Sequence, residues 1–224
     1  MVRARFAELM ADGADDPPLD EAALTISAEL QPGLDVAAWM AALDELAGEC
    51  DTPTPAGVAR FLFDDDHFTG NRHAYYDWRN SCLDRVIATR TGIPISLSVL
   101  MIEVGRRAGV ELVGIGMPTH FLVGVSDDPD TLFDPFAGGR VLDRDQAREM
   151  FVGLTRGQVP WQDAYLDPTP NRDIVIRMLN NLKSVFAGRS DAVRLGMVMG
   201  LRAAVPELAG AEDAEIAVTT AIFN

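Results

Sequence analysis

A histidine and an aspartate occur on what the sequence predicts to be successive β-strands. His120 opens an apolar run over residues 120–125, and Asp134 directly follows the run over residues 131–133. Adjacent antiparallel strands would bring the two side chains together, so that the carboxylate orients the imidazole and fixes its tautomer. We therefore expect His120 and Asp134 to lie within hydrogen-bond reach, at roughly 2.6–3.2 Å.

A third part of such a site would be a helix that begins just after Gly92-Ile93-Pro94. The N-terminus of a helix offers backbone N–H donors and a positive dipole end to a nucleophile or an oxyanion. Ser96 and Ser98 lie in its first turns, and a serine there would depend wholly on His120 as its base. Ser96, nearer the helix start, is the better candidate nucleophile. The alternative is that both hydroxyls satisfy backbone groups of the first turn.

Of the two cysteines, Cys50 and Cys82, only Cys82 falls near these residues. It lies beside Leu83 and Val86 in an apolar segment that is predicted to be helical, which is typical of a buried and inert thiol. No cation stands beside it in the sequence to lower its pKa, so we expect it to be unreactive in the native state. A thiol nucleophile at Cys82 is the weaker alternative to one at Ser96.

The elements around these residues indicate an α+β fold. Helices are predicted in the N-terminal third, with Asp35 as one N-cap and Thr54-Pro55 as the start of another helix. Short β-rich runs at residues 111–116, 120–125, 131–133 and 140–142, separated by turns, suggest an antiparallel meander. Asp143 could cap a further helix, and the chain is helical again from residue 171. Helices, a small sheet and helices in that order exclude an alternating βαβ fold.

Composition limits the functions that the chain can have. Apolar residues make up 48% and charged residues 24%, the balance of a folded globular protein, and the formal net charge is −15. Such an acidic chain is poorly suited to nucleic acids or anionic membranes, because phosphate binding needs a basic surface. No segment has the roughly 20 apolar residues of a membrane span, and the N-terminus lacks a secretory signal, so we expect a cytoplasmic protein. We also expect no metal site and no cofactor, and nothing indicates the oligomeric state.

Residues 75–139 resemble the core of the transglutaminase-like superfamily, whose Cys, His and Asp lie on a helix, a strand and the next strand. More narrowly, the chain resembles the bacterial SirB-type family, in which that core is joined to a tetratricopeptide-like tail. The matching motifs are Tyr75-Tyr76-Asp77-Trp78-Arg79-Asn80-Ser81, Thr91-Gly92-Ile93-Pro94-Ile95-Ser96-Leu97-Ser98-Val99-Leu100, His120-Phe121-Leu122-Val123, Asp134-Pro135-Phe136, Gly138-Gly139 and Arg177-Met178-Leu179-Asn180-Asn181-Leu182-Lys183.

The resemblance implies a papain-like core with a small antiparallel sheet, flanked by helices at both ends. We divide the chain into an N-terminal helical segment packed on the core (1–69), the core (70–165) and a helical tail (166–224). The resemblance also implies that Trp78 and Asn80 line the cleft as binding or oxyanion groups. Their alternative roles are a core aromatic and a helix cap, and the sequence does not decide between the two.

One departure from the superfamily decides our functional expectation. Active members begin the core helix with Gly-x-Cys, whereas this chain has Gly92-Ile93-Pro94, and proline offers no nucleophile. We expect a non-catalytic protein that binds a protein or peptide partner through the former cleft and the helical tail. The alternative is a serine-dependent hydrolase or acyltransferase, with Ser96 as nucleophile, His120 as base and Asp134 as orienting group.

Overall fold

The computed structural model describes residues 1–11 and 16–208, and the backbone alone at residue 66; residues 209–224 of the predicted tail lie outside this part. The α-helices within it are α1 (Val2–Leu9), α2 (Leu19–Leu30), α3 (Val36–Gly48), α4 (Pro55–Phe63), α5 (Leu83–Thr89), α6 (Pro94–Arg107), α7 (Arg144–Thr155), α8 (Asn171–Gly188) and α9 (Ala192–Arg202). The strands are β1 (Thr69–Gly70), β2 (Thr91–Gly92), β3 (Leu112–Ile115), β4 (Leu122–Val125), β5 (Asp128–Asp134), β6 (Arg140–Leu142) and β7 (Pro168–Thr169).

The helix starts that were predicted from capping residues are confirmed. The Asp35 carboxylate accepts the N–H of Ala38 at 3.2 Å, and Thr54 Oγ1 accepts the N–H of Gly57 at 3.1 Å. At the start of α7, Asp143 accepts the N–H of its third helical residue at 2.8 Å. Each of these bonds satisfies a donor that the helix itself leaves free, which is why such local sequence signals are informative.

The main sheet has the order β6-β5-β4-β3-β7 and is antiparallel throughout. The predicted meander is therefore confirmed, and the fold is α+β. β7 was not predicted, and it pairs with β3 inside the segment that we assigned to the tail. Likewise, β1 pairs in parallel with β2 across the boundary proposed at residue 69. The boundary proposed at residue 69 falls within β1, and the boundary proposed at residue 165 separates β7 from the strand with which it pairs.

Helix α6 runs through the centre of the molecule. Every residue from Pro94 to Gly105 is buried, and Leu100 is 0% exposed. Leu24 of α2 and Met178 of α8 belong to the same apolar cluster, so the N-terminal helices, the core and the predicted tail share one interior. Strand β4 is buried on both faces: Val123 packs in this cluster, and Leu122 packs in a second cluster beneath α7. Alternate residues of a strand point to opposite faces, which explains the division.

A buried ionic network fixes the C-terminal end of α6. Arg107 donates to Asp20 of α2 at 2.6 Å and to Glu103 at 2.7 Å, and Arg106 donates to Asp20 at 2.8 Å. Burial opposes ionisation of Asp20, but its hydrogen bonds and the two guanidinium charges hold its pKa below the ordinary value. The opposite end of α6 is left to form the candidate site.

No helix in the described ranges has the length and apolar character of a membrane span.

Candidate functional site

His120 lies in the turn before β4 rather than on the strand. We predicted a strand from residue 120, but β4 begins at Leu122. The reason is a turn in which the N–H of His120 bonds to the carbonyl of Met117 at 3.2 Å, with Thr119 at a φ of 70°. A left-handed residue cannot continue an extended strand. Asp134 does end β5, as predicted.

The two side chains of the predicted pair are close but not aligned. Nε2 of His120 lies 3.0 Å from Oδ1 of Asp134, which confirms the expected distance. The geometry is nevertheless not that of a hydrogen bond, and Nε2 is a buried atom with no partner among the described residues. The same Oδ1 accepts the backbone N–H groups of Phe136 at 3.1 Å and Ala137 at 3.2 Å. The local turn therefore holds the carboxylate in place, without help from the histidine.

Arg177 of α8 fixes the turn that carries His120. Its guanidinium donates to the carbonyl of Gly116 at 2.7 Å, of Met117 at 2.8 Å and of His120 at 2.7 Å. It also stacks over Phe121, 5.3 Å from the ring centre. Burial lowers the pKa of this guanidinium. In the sequence Arg177 stood only within a family motif, and we did not predict it as a site residue.

A cavity of about 220 Å³ opens beside His120. Its lining residues are Tyr75, Ile93, Pro94, Ile95, Thr119, His120, Phe121, Arg177 and Asn181. At about 30 Å³ per water it would hold roughly seven waters, and it is smaller than the roughly 300–1,000 Å³ of drug-sized pockets. The space therefore suits one side chain or one chain end. Apart from His120, none of our predicted site residues lines it.

The two serines of α6 are buried away from this cavity. Ser96 Oγ donates to the carbonyl of Asn80 at 2.6 Å and accepts the N–H of Ile93 at 3.1 Å, and its side chain is 0% exposed. These bonds commit the hydroxyl to the helix start, so they do not support its predicted role as nucleophile. Ser98 Oγ is also buried and has no hydrogen-bond partner in the described chain. Neither hydroxyl bonds to His120.

Asn80 and Trp78, expected to line the cleft or to be structural, lie outside the cavity wall. Asn80 Nδ2 donates to the carbonyls of Ala74 at 2.7 Å and Tyr75 at 3.2 Å, and its Oδ1 accepts from Asn71 at 3.0 Å. The side chain thus braces the loop that carries Tyr75, and it does not cap a helix. Trp78 is half-buried and packs against the apolar core, which agrees with the structural alternative.

The contacts of Trp78 are with the C-terminal helices. Its ring lies 6.1 Å from that of Phe186 on α8, and the guanidinium of Arg194 stacks over it at 4.9 Å. Binding in the cleft through Trp78 is therefore not supported by its position.

Cys82 lies in the main apolar cluster and is 0% exposed. Its Sγ contacts the carbonyl of Trp78 at 3.8 Å and the side chain of Ser27. Burial, together with the nearby charge of Asp84, raises the pKa of the thiol well above its ordinary value. The thiolate that a nucleophile requires is thus disfavoured, and the thiol alternative loses its basis.

Exposed aromatic rings continue outward from the cavity. The Tyr75 ring is 5.3 Å from that of Tyr76 and 5.8 Å from that of Phe136, which in turn lies 6.3 Å from the His120 ring. Tyr75 is 38% and Tyr76 is 71% exposed. Arg72 stacks over Phe136 at 4.9 Å. We call Tyr75, Tyr76 and Phe136 the aromatic rim; exposed tyrosines are enriched where proteins bind partners.

The fold and the His–Asp pair can now be compared with known proteins. The family described as the transglutaminase-like superfamily matches residues 34–180. A UPF0162 protein of Pseudomonas aeruginosa is 30% identical over 187 residues, which cover 80% of this chain and 68% of the relative. The chain therefore belongs to the transglutaminase-like superfamily and, within it, to the family of UPF0162 proteins. The narrower resemblance to the SirB-type family is not tested by these matches and stays a prediction.

Two further relatives match shorter parts of the chain. A UPF0162 protein of Xylella fastidiosa (strain 9a5c) is 46% identical over 136 residues, or 59% of this chain, and the match spans 48% of that relative, about half its length. Mouse F-box only protein 21 is 45% identical over 62 residues, which are 28% of this chain and 10% of that protein. No solved structure matches the chain.

Proposed function

We propose that the protein is a non-catalytic member of its superfamily that binds a peptide segment in the cavity beside His120. One observation carries the proposal: the wall of that cavity at the start of α6 is Pro94, while Ser96, Ser98 and Cys82 all lie elsewhere. In the described chain no hydroxyl or thiol hydrogen-bonds to the His120 ring. A base without a positioned nucleophile cannot perform acyl transfer by covalent catalysis.

The features that would serve binding are all present. The cavity is concave, its volume suits a single side chain or chain end, and the aromatic rim extends the contact surface beyond it. The turn of His120 is held by Arg177, so the wall is pre-formed and little ordering is needed when a ligand arrives. A site can persist in this way after its chemistry is lost, because function depends on particular residues grafted on a fold.

We also propose the cellular compartment of the protein and the class of partner that it binds. Both cysteines are free, and Cys82 is buried, which fits a reducing, cytoplasmic compartment. We propose a protein or peptide partner and not a nucleic acid or a membrane, because the net charge is −15. The helices α8 and α9 would extend the binding surface, since α8 contributes Arg177 and Asn181 to the cavity.

Selection of peptides from a displayed random library against the immobilised full chain tests binding at the cavity. Affinities of the selected peptides would then be measured by fluorescence anisotropy for wild type, His120→Ala and the control His73→Ala. His73 is exposed and lies outside the cavity, so the control removes the same side chain elsewhere. We expect His120→Ala to weaken binding about tenfold or more and His73→Ala to leave it unchanged. Equal affinities for all three proteins would show that the cavity is not the binding site.

A screen of ester and amide substrates tests the second candidate function, a hydrolase with Ser96 as nucleophile. We expect no turnover. Hydrolysis that disappears in both His120→Ala and Ser96→Ala would overturn the binding proposal in favour of the serine enzyme. Labelling by a fluorophosphonate probe, lost in Ser96→Ala, would lead to the same conclusion.

A further inference from the structure

The charges around the cavity are unusual for so acidic a protein. The chain has 34 acidic and 19 basic residues, yet no aspartate or glutamate of the described ranges lines the cavity. Arg177 does line it, and its three hydrogen bonds within the described chain go to backbone carbonyls. Among the described residues, the phenol of Tyr75 interacts electrostatically with this guanidinium. A half-buried cation therefore stands in the wall, and no carboxylate of the described residues lines the cavity with it.

Buried charges are costly unless they are paired, so an uncompensated arginine in a cavity wall indicates a place for an anion. Asp134 does not remove this imbalance. It lies outside the cavity lining, beside His120, and its Oδ1 is already held by two backbone N–H groups. Three neutral carbonyls accept from the Arg177 guanidinium, which has five N–H donors, and they supply no negative charge.

Two further groups favour the same kind of ligand. Ile95, the second residue of α6, lines the cavity, and its backbone N–H has no acceptor within the described ranges, as is usual for the first turn of a helix. The positive end of the α6 dipole lies at the same wall. The ring of His120 also lines the cavity, while its Nε2 is buried beside Asp134 and does not face a ligand. Asn181 adds an amide that can donate.

We propose that the cavity beside His120 binds a carboxylate, carried either by the C-terminus of a peptide or by an acidic side chain. This rests on the proposed function and names the chemical group that the cavity recognises. The volume of about 220 Å³ admits a carboxylate with one or two small residues behind it, and the remainder of the peptide would lie along the aromatic rim. A positively charged wall in an acidic protein also directs an anion to this cavity, because other parts of the surface repel the same anion.

Nuclear magnetic resonance titration of the isotope-labelled full chain tests this with three small probes. N-acetyl-alanylalanine carries a terminal carboxylate, its C-terminal amide carries none, and N-acetyl-alanylglutamate amide carries a side-chain carboxylate. We expect resonances of Ile95, His120 and Asn181 to shift with at least one carboxylate probe, at an affinity about tenfold or more above that of the neutral amide. Which of the two carboxylate probes binds tells the C-terminal source from the side-chain source. The shifts should shrink between about 50 and about 500 mM NaCl, since salt screens the charge.

Variants then connect the preference to Arg177. Arg177→Met should abolish the preference for the carboxylate and Arg177→Lys should keep it, while Arg189→Met, at an exposed arginine beyond the end of α8, should match wild type. Equal affinity for the amide and the carboxylates would overturn the inference, and so would a preference that survives in folded Arg177→Met. If Arg177→Met does not fold, the comparison of the three probes on wild type still tests whether the cavity prefers a carboxylate. If library-selected peptides bind but no carboxylate probe binds, the carboxylate inference alone is overturned. If neither peptides nor probes bind, the proposed function is overturned as well.

Discussion

Nη2 of Arg177 lies 2.7 Å from the backbone oxygen of His120, a residue 57 positions earlier in the chain. Helix α8 was expected to belong to a separate tail, yet it holds the turn that presents the histidine. The cleft is consequently built from both the predicted core and the predicted tail. Removal of α8 would leave the carbonyls of residues 116, 117 and 120 without their shared donor.

Replacement of Arg177 measures how much this contact contributes. Arg177→Met should lower the free energy of unfolding by about 2–4 kcal/mol, because three part-buried carbonyls lose a charged donor. Chemical denaturation gives the value, and Arg189→Met, at an exposed position, should stay within about 0.5 kcal/mol of wild type. Hydrogen exchange of residues 116–121 should become faster in the first variant only. Unchanged exchange there would mean that the turn is stable without Arg177.

The two serines of α6 provide a matched pair for a second prediction. Ser96→Ala should cost about 1–2 kcal/mol, because its hydroxyl bonds to Asn80 and to the backbone of Ile93. Ser98→Ala should be neutral or stabilising by up to about 1 kcal/mol, since it removes a buried hydroxyl without a partner and has the better helix propensity. Denaturation of both variants in parallel checks the order. A larger loss for Ser98→Ala would reveal that its hydroxyl has a partner such as a buried water.

Thiol labelling compares the two cysteines within one protein. Iodoacetamide should modify Cys50, which is half-buried, much faster than Cys82, which is fully buried. Peptide mass mapping after a short native exposure reports each site, and denatured protein should show both modified at similar rates. Rapid native modification of Cys82 would contradict the structure at that helix and revive the thiol nucleophile.

Burial of the Cys82 thiol makes the free energy of unfolding depend on pH. Burial raises the pKa of its thiol above the ordinary value of 9.0, so above that pH the unfolded chain releases a proton that the folded chain retains. The folded state then binds more protons than the unfolded one, and stability falls as pH rises, by at most about 1.4 kcal/mol per pH unit. Urea denaturation from about pH 8 to about pH 10 should show a steeper decline for wild type than for Cys82→Ala. Equal slopes would show that the thiol ionises in the folded protein.

The sequence was informative where the relevant contacts are local. Asp35, Thr54 and Asp143 cap helices through residues three positions away, and His120 and Asp134 meet because the turn before β4 lies beside the end of the paired strand β5. The distance between His120 and Asp134 could thus be predicted, although the turn at Thr119 that shortens β4 could not.

The contacts that the sequence did not indicate involve distant partners. The hydroxyl of Ser96 is taken by a carbonyl 16 residues earlier, and Arg177 bonds to carbonyls about 60 residues earlier. Backbone acceptors leave no trace in residue type, so no pattern could indicate these bonds. The two-residue strand β7 is likewise too short for an alternating pattern, and this is why the boundary predicted at residue 165 cuts the sheet.

The long reach of Arg177 has a consequence for synthesis on the ribosome. The hydrogen bonds from Arg177 to the turn of His120 cannot form until Arg177, 57 positions further on, has been translated and has left the exit tunnel. At roughly 5–20 residues per second, synthesis of those 57 residues alone takes about 3–11 s. The nascent chain therefore has a period in which the sheet can form while the histidine turn is still loose. The cavity beside His120 is complete only once α8 is in place, because α8 supplies Arg177 and Asn181 to its wall.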